Sequence, residues 1–130
     1  MTKVLCMFVL IMNFSYGMGL DDFETSYSDL LAAKSAGEDI FVAFTEKNCE
    51  TCNVFKREVI GTDRFITEAE IYGIRYFHID VDLNPGALAE WGGGSAPHWF
   101  ILQEGHVIYE LSGYYSGEHE IIYDIFNDFF

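Results

Sequence analysis

Two cysteines three positions apart, Cys49 and Cys52, are the side chains in this sequence best suited to do chemistry. They follow the apolar run Phe41 to Phe44, which has strand length and stops at Thr45. They open a segment in which Cys52, Phe55, Val59 and Ile60 fall at i, i+3, i+7 and i+8. A strand therefore feeds a helix, with Cys49 at the junction. A thiol there faces unpaired backbone N–H groups and the positive end of the macrodipole, which favour the nucleophilic thiolate by about 0.3 to 2 kcal/mol. Glu46 and Glu50 oppose this by like charge, while Lys56 and Arg57 lie two turns along and are largely screened, so Cys49 is expected to be moderately activated. One helical turn brings Cys52 to the same side, within disulfide reach, and its place at the head of the apolar stripe shields its sulfur. An exposed attacking thiol and a buried resolving thiol are the division of labour that dithiol exchange needs.

Other chemistry for the pair is less well supported. Half of a zinc site needs a second Cys or His pair at ligand spacing, but beyond residue 17 there is no third cysteine, and His78, His98, His106 and His119 are scattered singly. A purely structural disulfide would close a very small loop and constrain little of the unfolded chain. No metal and no cofactor are expected.

The 130 residues suffice for one domain with a proper core and are too few for two. The chain begins with a lone lysine, the apolar run Val4 to Phe14 and the small residues of Ser15-Tyr16-Gly17. This is the layout of a secretory signal peptide over residues 1–17, with cleavage near Gly17 or Gly19 and residues 18–130 as the mature domain; an uncleaved leader would instead act as an N-terminal anchor. Cys6 would leave with the leader. Its removal takes away Lys3 and no acid, so the formal charge moves from −14 to −15, six basic side chains against 21 acidic. Such a surface repels nucleic acid and anionic lipid, and 17% aromatic residues argue against disorder.

The remaining elements must position the pair. Thr25 or Ser26 caps a helix with Phe23, Tyr27, Leu30 and Leu31 at helical spacing, ended by Gly37. Ile40 to Phe44 reads as a strand covered on both faces. After the cysteine helix, Gly61 and Thr62-Asp63 interrupt, and Phe65, Ile66 and Ala69 resume a helical face up to Gly73, as one kinked helix or two short ones. Ile74 to Val81 is a strand, Asp82 to Gly86 is turn chemistry, and Ala87 to Trp91 is a short helical segment. Gly92 to Ser95 is a loop running into Ala96-Pro97. Trp99 to Leu102 and Val107 to Leu111 then pair across Gln103-Glu104-Gly105. Ser116 caps a last helix with Ile121, Ile122, Ile125, Phe126 and Phe129 on one face.

With these residues in place the chain resembles the thioredoxin superfamily over nearly all of residues 18–130. The resemblance rests on the strand leading into Cys49 to Cys52, the strand end Val81-Asp82, the turn Asn84-Pro85-Gly86, and Pro97, which follows Asp82 at the family's interval. It implies an α/β thioredoxin fold, a central mixed sheet flanked by helices. It also implies a cis Pro97 lying against the sulfurs, with Ala96 offering backbone hydrogen bonds to an extended substrate; a cis bond is affordable only before proline. The sequence departs from the family at Asn48, where a tryptophan is usual, and at Glu50-Thr51, where Gly-Pro is usual. Ala43 replaces a buried aspartate and His78 its lysine partner. A relay through that carboxylate is absent, leaving His78 as a candidate for proton transfer to Cys52 or, as a lone strand histidine more often is, a satisfied structural residue.

Glu50 does not stabilise a thiolate, which favours a reductase or electron relay over an oxidase or isomerase. The stretch Phe55 to Val59 is similar to exported thioredoxin-like proteins and the C-terminal domain of DsbD. The expectation is an exported, most simply periplasmic, thiol:disulfide oxidoreductase. Cys49 is its nucleophile, Cys52 its resolving thiol, a protein or small-molecule disulfide its substrate, and a redox partner at the inner membrane recharges the pair. A thioredoxin-fold binding or metal-delivery module is the alternative from another class.

Overall fold

The computed structural model describes residues 19–130. The leader over residues 1–17 and its cleavage position at Gly17 lie outside the described residues. After a 3-10 turn at Leu20–Asp22, the elements are α1 (Tyr27–Ser35), β1 (Ile40–Thr45), α2 (Glu50–Phe55) running into a π-helical turn (Lys56–Ile60), α3 (Asp63–Ile71), β2 (Arg75–Asp80), α4 (Ala87–Glu90), β3 (His98–Gln103), β4 (His106–Ser112) and α5 (His119–Phe129). The four strands form one mixed sheet in the order β2-β1-β3-β4, with β1–β2 parallel and the other pairs antiparallel. This is the α/β arrangement of the thioredoxin fold.

Every residue of β1 is buried, as its unbroken apolar run requires of a strand covered on both faces. Alternation then sorts the core. Phe41 and Ala43 face a cluster with Phe55, Val59, Ile60, Phe65, Trp99 and Phe126, under α2, α3 and α5. Ile40, Val42 and Phe44 face a second cluster with Leu30, Phe77, Leu88 and Phe100, under α1 and α4. The edge strand β4 is largely exposed, including Val107, Ile108 and Tyr109. At the opposite edge the extended residue Glu24 pairs with β2. Its N–H donates to the Tyr76 carbonyl at 3.1 Å, its carbonyl accepts from the His78 N–H at 2.8 Å, and Arg75 clamps its carboxylate at 2.5 and 2.7 Å.

Of the two expected caps, Ser26 takes α1, its hydroxyl accepting from the Asp29 N–H at 3.2 Å. The region after the cysteines is two helices. The first ends in the π turn, closed by the Gly61 N–H donating to the Lys56 carbonyl at 2.6 Å, and the second is capped by Thr62, which accepts from the Phe65 N–H at 3.3 Å. A Cβ on Gly61 would stand 2.5 Å from that carbonyl oxygen, so this turn needs glycine. Two expectations about the last helix are corrected. Ser116 does not cap it: α5 starts at His119 without a side-chain cap, and the Ser116 hydroxyl donates to the Glu58 carboxylate at 3.0 Å. Phe129, the last residue of α5, is 56% exposed, and the residues of that helix that are buried are Ile122, Tyr123, Ile125 and Phe126.

Candidate functional site

Strand β1 stops at Thr45 and the chain turns through Glu46, Lys47 and Asn48 before α2 begins. Asn48 has φ 54°, a left-handed conformation that asparagine tolerates better than most residues. The turn is fixed from outside, since the Lys47 N–H donates to Asp82 Oδ2 at 2.6 Å. Cys49 is then the N-cap of α2, with extended backbone, and its sulfur accepts from the Cys52 N–H at 3.1 Å. A side chain that accepts from a free N–H of the first turn is what the helix start demands, and sulfur supplies it here.

The two sulfurs are joined in a disulfide with the Cα atoms 5.2 Å apart. Cys49 is partly exposed, while Cys52 is fully buried. Thr51 Oγ1 lies 3.5 Å from the Cys49 sulfur, and the Ala96 carbonyl oxygen lies 3.8 Å from it. The Ala96–Pro97 peptide is cis, and Pro97 is buried beside the pair. The structure thus gathers Cys49, Cys52, Ala96 and Pro97 at one end of the sheet. His78 stands on β2, paired in register with Ala43, and its Nε2 is 2.6 Å from Thr45 Oγ1. Burial first, and Lys56 second, press its pKa down to about 4, so the ring is neutral near pH 7. Among the described residues no hydrogen bond joins His78 to Cys52.

The sequence reading missed a second set of residues behind Pro97. The Pro97 carbonyl accepts from the Gly113 N–H at 2.7 Å, and the next residue, Tyr114, is buried with its ring against Phe55 of α2. The Tyr114 hydroxyl donates to Glu58 Oε1 at 2.8 Å, and Ser116 donates to the same carboxylate. These two hydroxyls hold the Glu58 pKa below its ordinary value, and burial, reinforced by Glu58, pushes that of Tyr114 up. The loop over residues 113–118 is therefore clamped onto the cysteine helix through its π turn. No signal in the sequence joins positions 58 and 114. Also missed was His98, directly after Pro97. It is 5% exposed, stacked on Phe100, and has neither ring nitrogen hydrogen-bonded. Burial lowers its pKa, and the carboxylate facing it is Glu110, at 4.0 Å from Nε2.

Among the described residues no group of three or more His, Cys, Asp or Glu side chains is placed to hold a metal ion. Residues 27–124 match the family model of a thioredoxin-like domain. No curated protein matches the chain. Among solved structures, the chain superposes on thioredoxin from Trypanosoma brucei brucei with a TM-score of 0.61 at 16% identity, covering 79% of this chain and 84% of that one. A mutant thioredoxin from Halobacterium salinarum gives 0.63 at 18% identity, over 82% and 88% of the two chains. Reduced desulfothioredoxin from Desulfovibrio vulgaris Hildenborough gives 0.63 at 18%, over 82% and 97%.

Proposed function

The chain belongs to the thioredoxin-like family, and from that premise we propose that it is an exported thiol:disulfide oxidoreductase working as a reductase or electron relay. The general activity, thiol:disulfide exchange, is supported by the family together with the Cys49–Cys52 pair at disulfide distance. The observation that carries the mechanism is the asymmetry of the pair. One sulfur is reachable at a helix N-cap, and its partner is sealed beneath it.

In the reduced protein, the Cys49 thiolate attacks one sulfur of a substrate disulfide. The substrate S–S bond breaks, one substrate thiolate leaves and takes a proton, and a mixed disulfide to Cys49 remains. Cys52 then gives up its proton and attacks the Cys49 sulfur, releasing the second substrate thiol and forming the Cys49–Cys52 bond. Two electrons have passed to the substrate, and a redox partner must return two to the pair. Ala96 next to Pro97 offers its backbone to an extended substrate, 3.8 Å from the attacking sulfur. We assign no proton step to His78, because its Nε2 is engaged by Thr45 and its ring is neutral, which favours the reading as a satisfied strand residue. The reductase direction rests on Glu50, which gives a thiolate no support. Export rests on the leader-like run at residues 1–17, and the partner that recharges the pair would then sit at the inner membrane.

The reduced protein is expected to catalyse reduction of insulin by dithiothreitol, and Cys49→Ser to abolish this. Equilibration with glutathione buffers should give a potential near that of thioredoxin, about −270 mV; a value near about −120 mV would instead mark an oxidase. Intact mass of the protein recovered from an exported fraction should correspond to a chain starting at Met18 or at Leu20.

A further inference from the structure

A cleft of about 170 Å³ opens beside Ala96, on the face of the sheet opposite α5. Its lining includes Glu46, Val81, Leu88, Gly93, Gly94 and Ala96. Leu88 is buried and Val81 half-buried, so they form an apolar floor, while the exposed Glu46 and Gly94 stand at the rim. The wall toward Ala96 is formed by Gly93, Gly94 and Ser95. At Gly93 a Cβ would run into the Leu88 side chain and come within 2.9 Å of His98 Nδ1. Resting on the reading above, in which an extended substrate lies along Ala96, the side chain flanking the substrate cysteine would fall over this cleft.

The charge at the rim is uncommitted. Among the described residues Glu46 forms no ion pair. Asp82 and Asp80 each accept one backbone N–H, from Lys47 and Asp82, and neither lines the cleft, where Glu46 is the acidic side chain. A slot with an apolar floor and one free carboxylate at its mouth matches a side chain with an apolar stem and a cationic tip. A fully apolar side chain would fill the floor and leave Glu46 unanswered, and an acidic one would meet like charge. We infer that the cleft beside Ala96 is a side-chain subsite, and that Glu46 makes it select substrates carrying lysine or arginine next to the reacting cysteine.

The test uses the full domain and short peptides joined by a disulfide, with Lys, Leu or Glu immediately before the cysteine in one series and immediately after it in another. One series should show kcat/KM for Lys over Glu of about tenfold, as expected of an exposed pair gained in one case and a repulsion in the other. Glu46→Gln should reduce that ratio to about twofold or less. Because a chain of net charge −14 attracts basic peptides from a distance, Asp124→Asn serves as the control. Asp124 is exposed on α5, beneath the other face of the sheet, and the variant should keep the tenfold ratio. Equal rates for Lys and Glu in both series, or a ratio that Glu46→Gln leaves intact, would overturn the subsite while leaving the exchange reaction standing. A wild-type protein that reduced neither the peptides nor hydroxyethyl disulfide would overturn both.

Discussion

Pro97 is approached by one kind of chain and braced from behind by another. On the approach, Gly92 and Gly93 are held by bonds to the Ala89 and Leu88 carbonyls, each 2.9 Å, and the loop then rests on a histidine with neither ring nitrogen bonded. Behind Pro97, Gly113 bonds to its carbonyl and Tyr114 and Ser116 lock onto Glu58, while the Tyr115 N–H reaches Glu118 at 2.5 Å. The braced flank ties the proline to the same helix that carries the cysteines, so it fixes the distance between sulfur and Ala96. The glycine flank borders the cleft and has room to adapt to what lies there. Rigidity is placed where the chemistry needs registration, and softness where substrates differ.

The largest effect should come from cutting the brace. Glu58→Ala removes the acceptor shared by Tyr114 and Ser116, and reduction of an extended peptide disulfide is expected to fall roughly tenfold, because substrate alignment over Cys49 is lost. Reduction of hydroxyethyl disulfide, which needs no backbone registration, should change by less than about twofold, and Glu58→Gln, which keeps an acceptor oxygen, should restore most of the loss. Equal losses on both substrates would mean that the clamp merely stabilises the fold.

Acidification should separate the flanks with a smaller effect. His98 is held below its ordinary 6.5 by burial, so the unfolded chain takes up a proton that the folded one refuses. Its contribution to stability is complete above about pH 6.5 and is lost as pH falls toward the folded value. Glu58 is held below its ordinary 4.5, so its contribution is complete above about pH 4.5 and fades only beneath that. Between these limits, hydrogen exchange should show Gly92 and Gly93 losing protection while Gly113 and Tyr115 keep theirs.

The smallest effect is expected from Gly93→Ala. The added methyl comes within 3.0 Å of Leu88 Cδ1, Leu88 Cγ and His98 Nδ1, and on a flank that yields the urea midpoint should fall by the equivalent of about 1 kcal/mol, the low end for overpacking. A larger drop would show that the glycine flank is as tightly built as the other.

How far the sequence could be read follows from the range of the forces involved. Cys49 at a helix start, the doubly covered β1 and the turn at Asn84-Pro85-Gly86 are declared by periodicity and by residues with few conformations to choose from. The bond from Tyr114 to Glu58 spans 56 positions and has no period, so it leaves no trace in the sequence. Ser116 shows the same limit from another side. Its hydroxyl suits a cap, and only the fold reveals that a carboxylate from the π turn after α2 has claimed it. The π turn is silent because one extra residue in a helix leaves Phe55, Val59 and Ile60 on nearly the same apolar stripe.

Among the described residues, the single extended residue Glu24, fastened to β2 by two backbone bonds and Arg75, occupies the middle of one margin of the sheet opposite Phe77, while β4 forms the other margin. A strand arriving at β2 must first displace Glu24 from Tyr76 and His78, whereas one arriving at β4 displaces no such residue. Edge-to-edge association of two copies is thus favoured at β4, where it closes as a twofold pair.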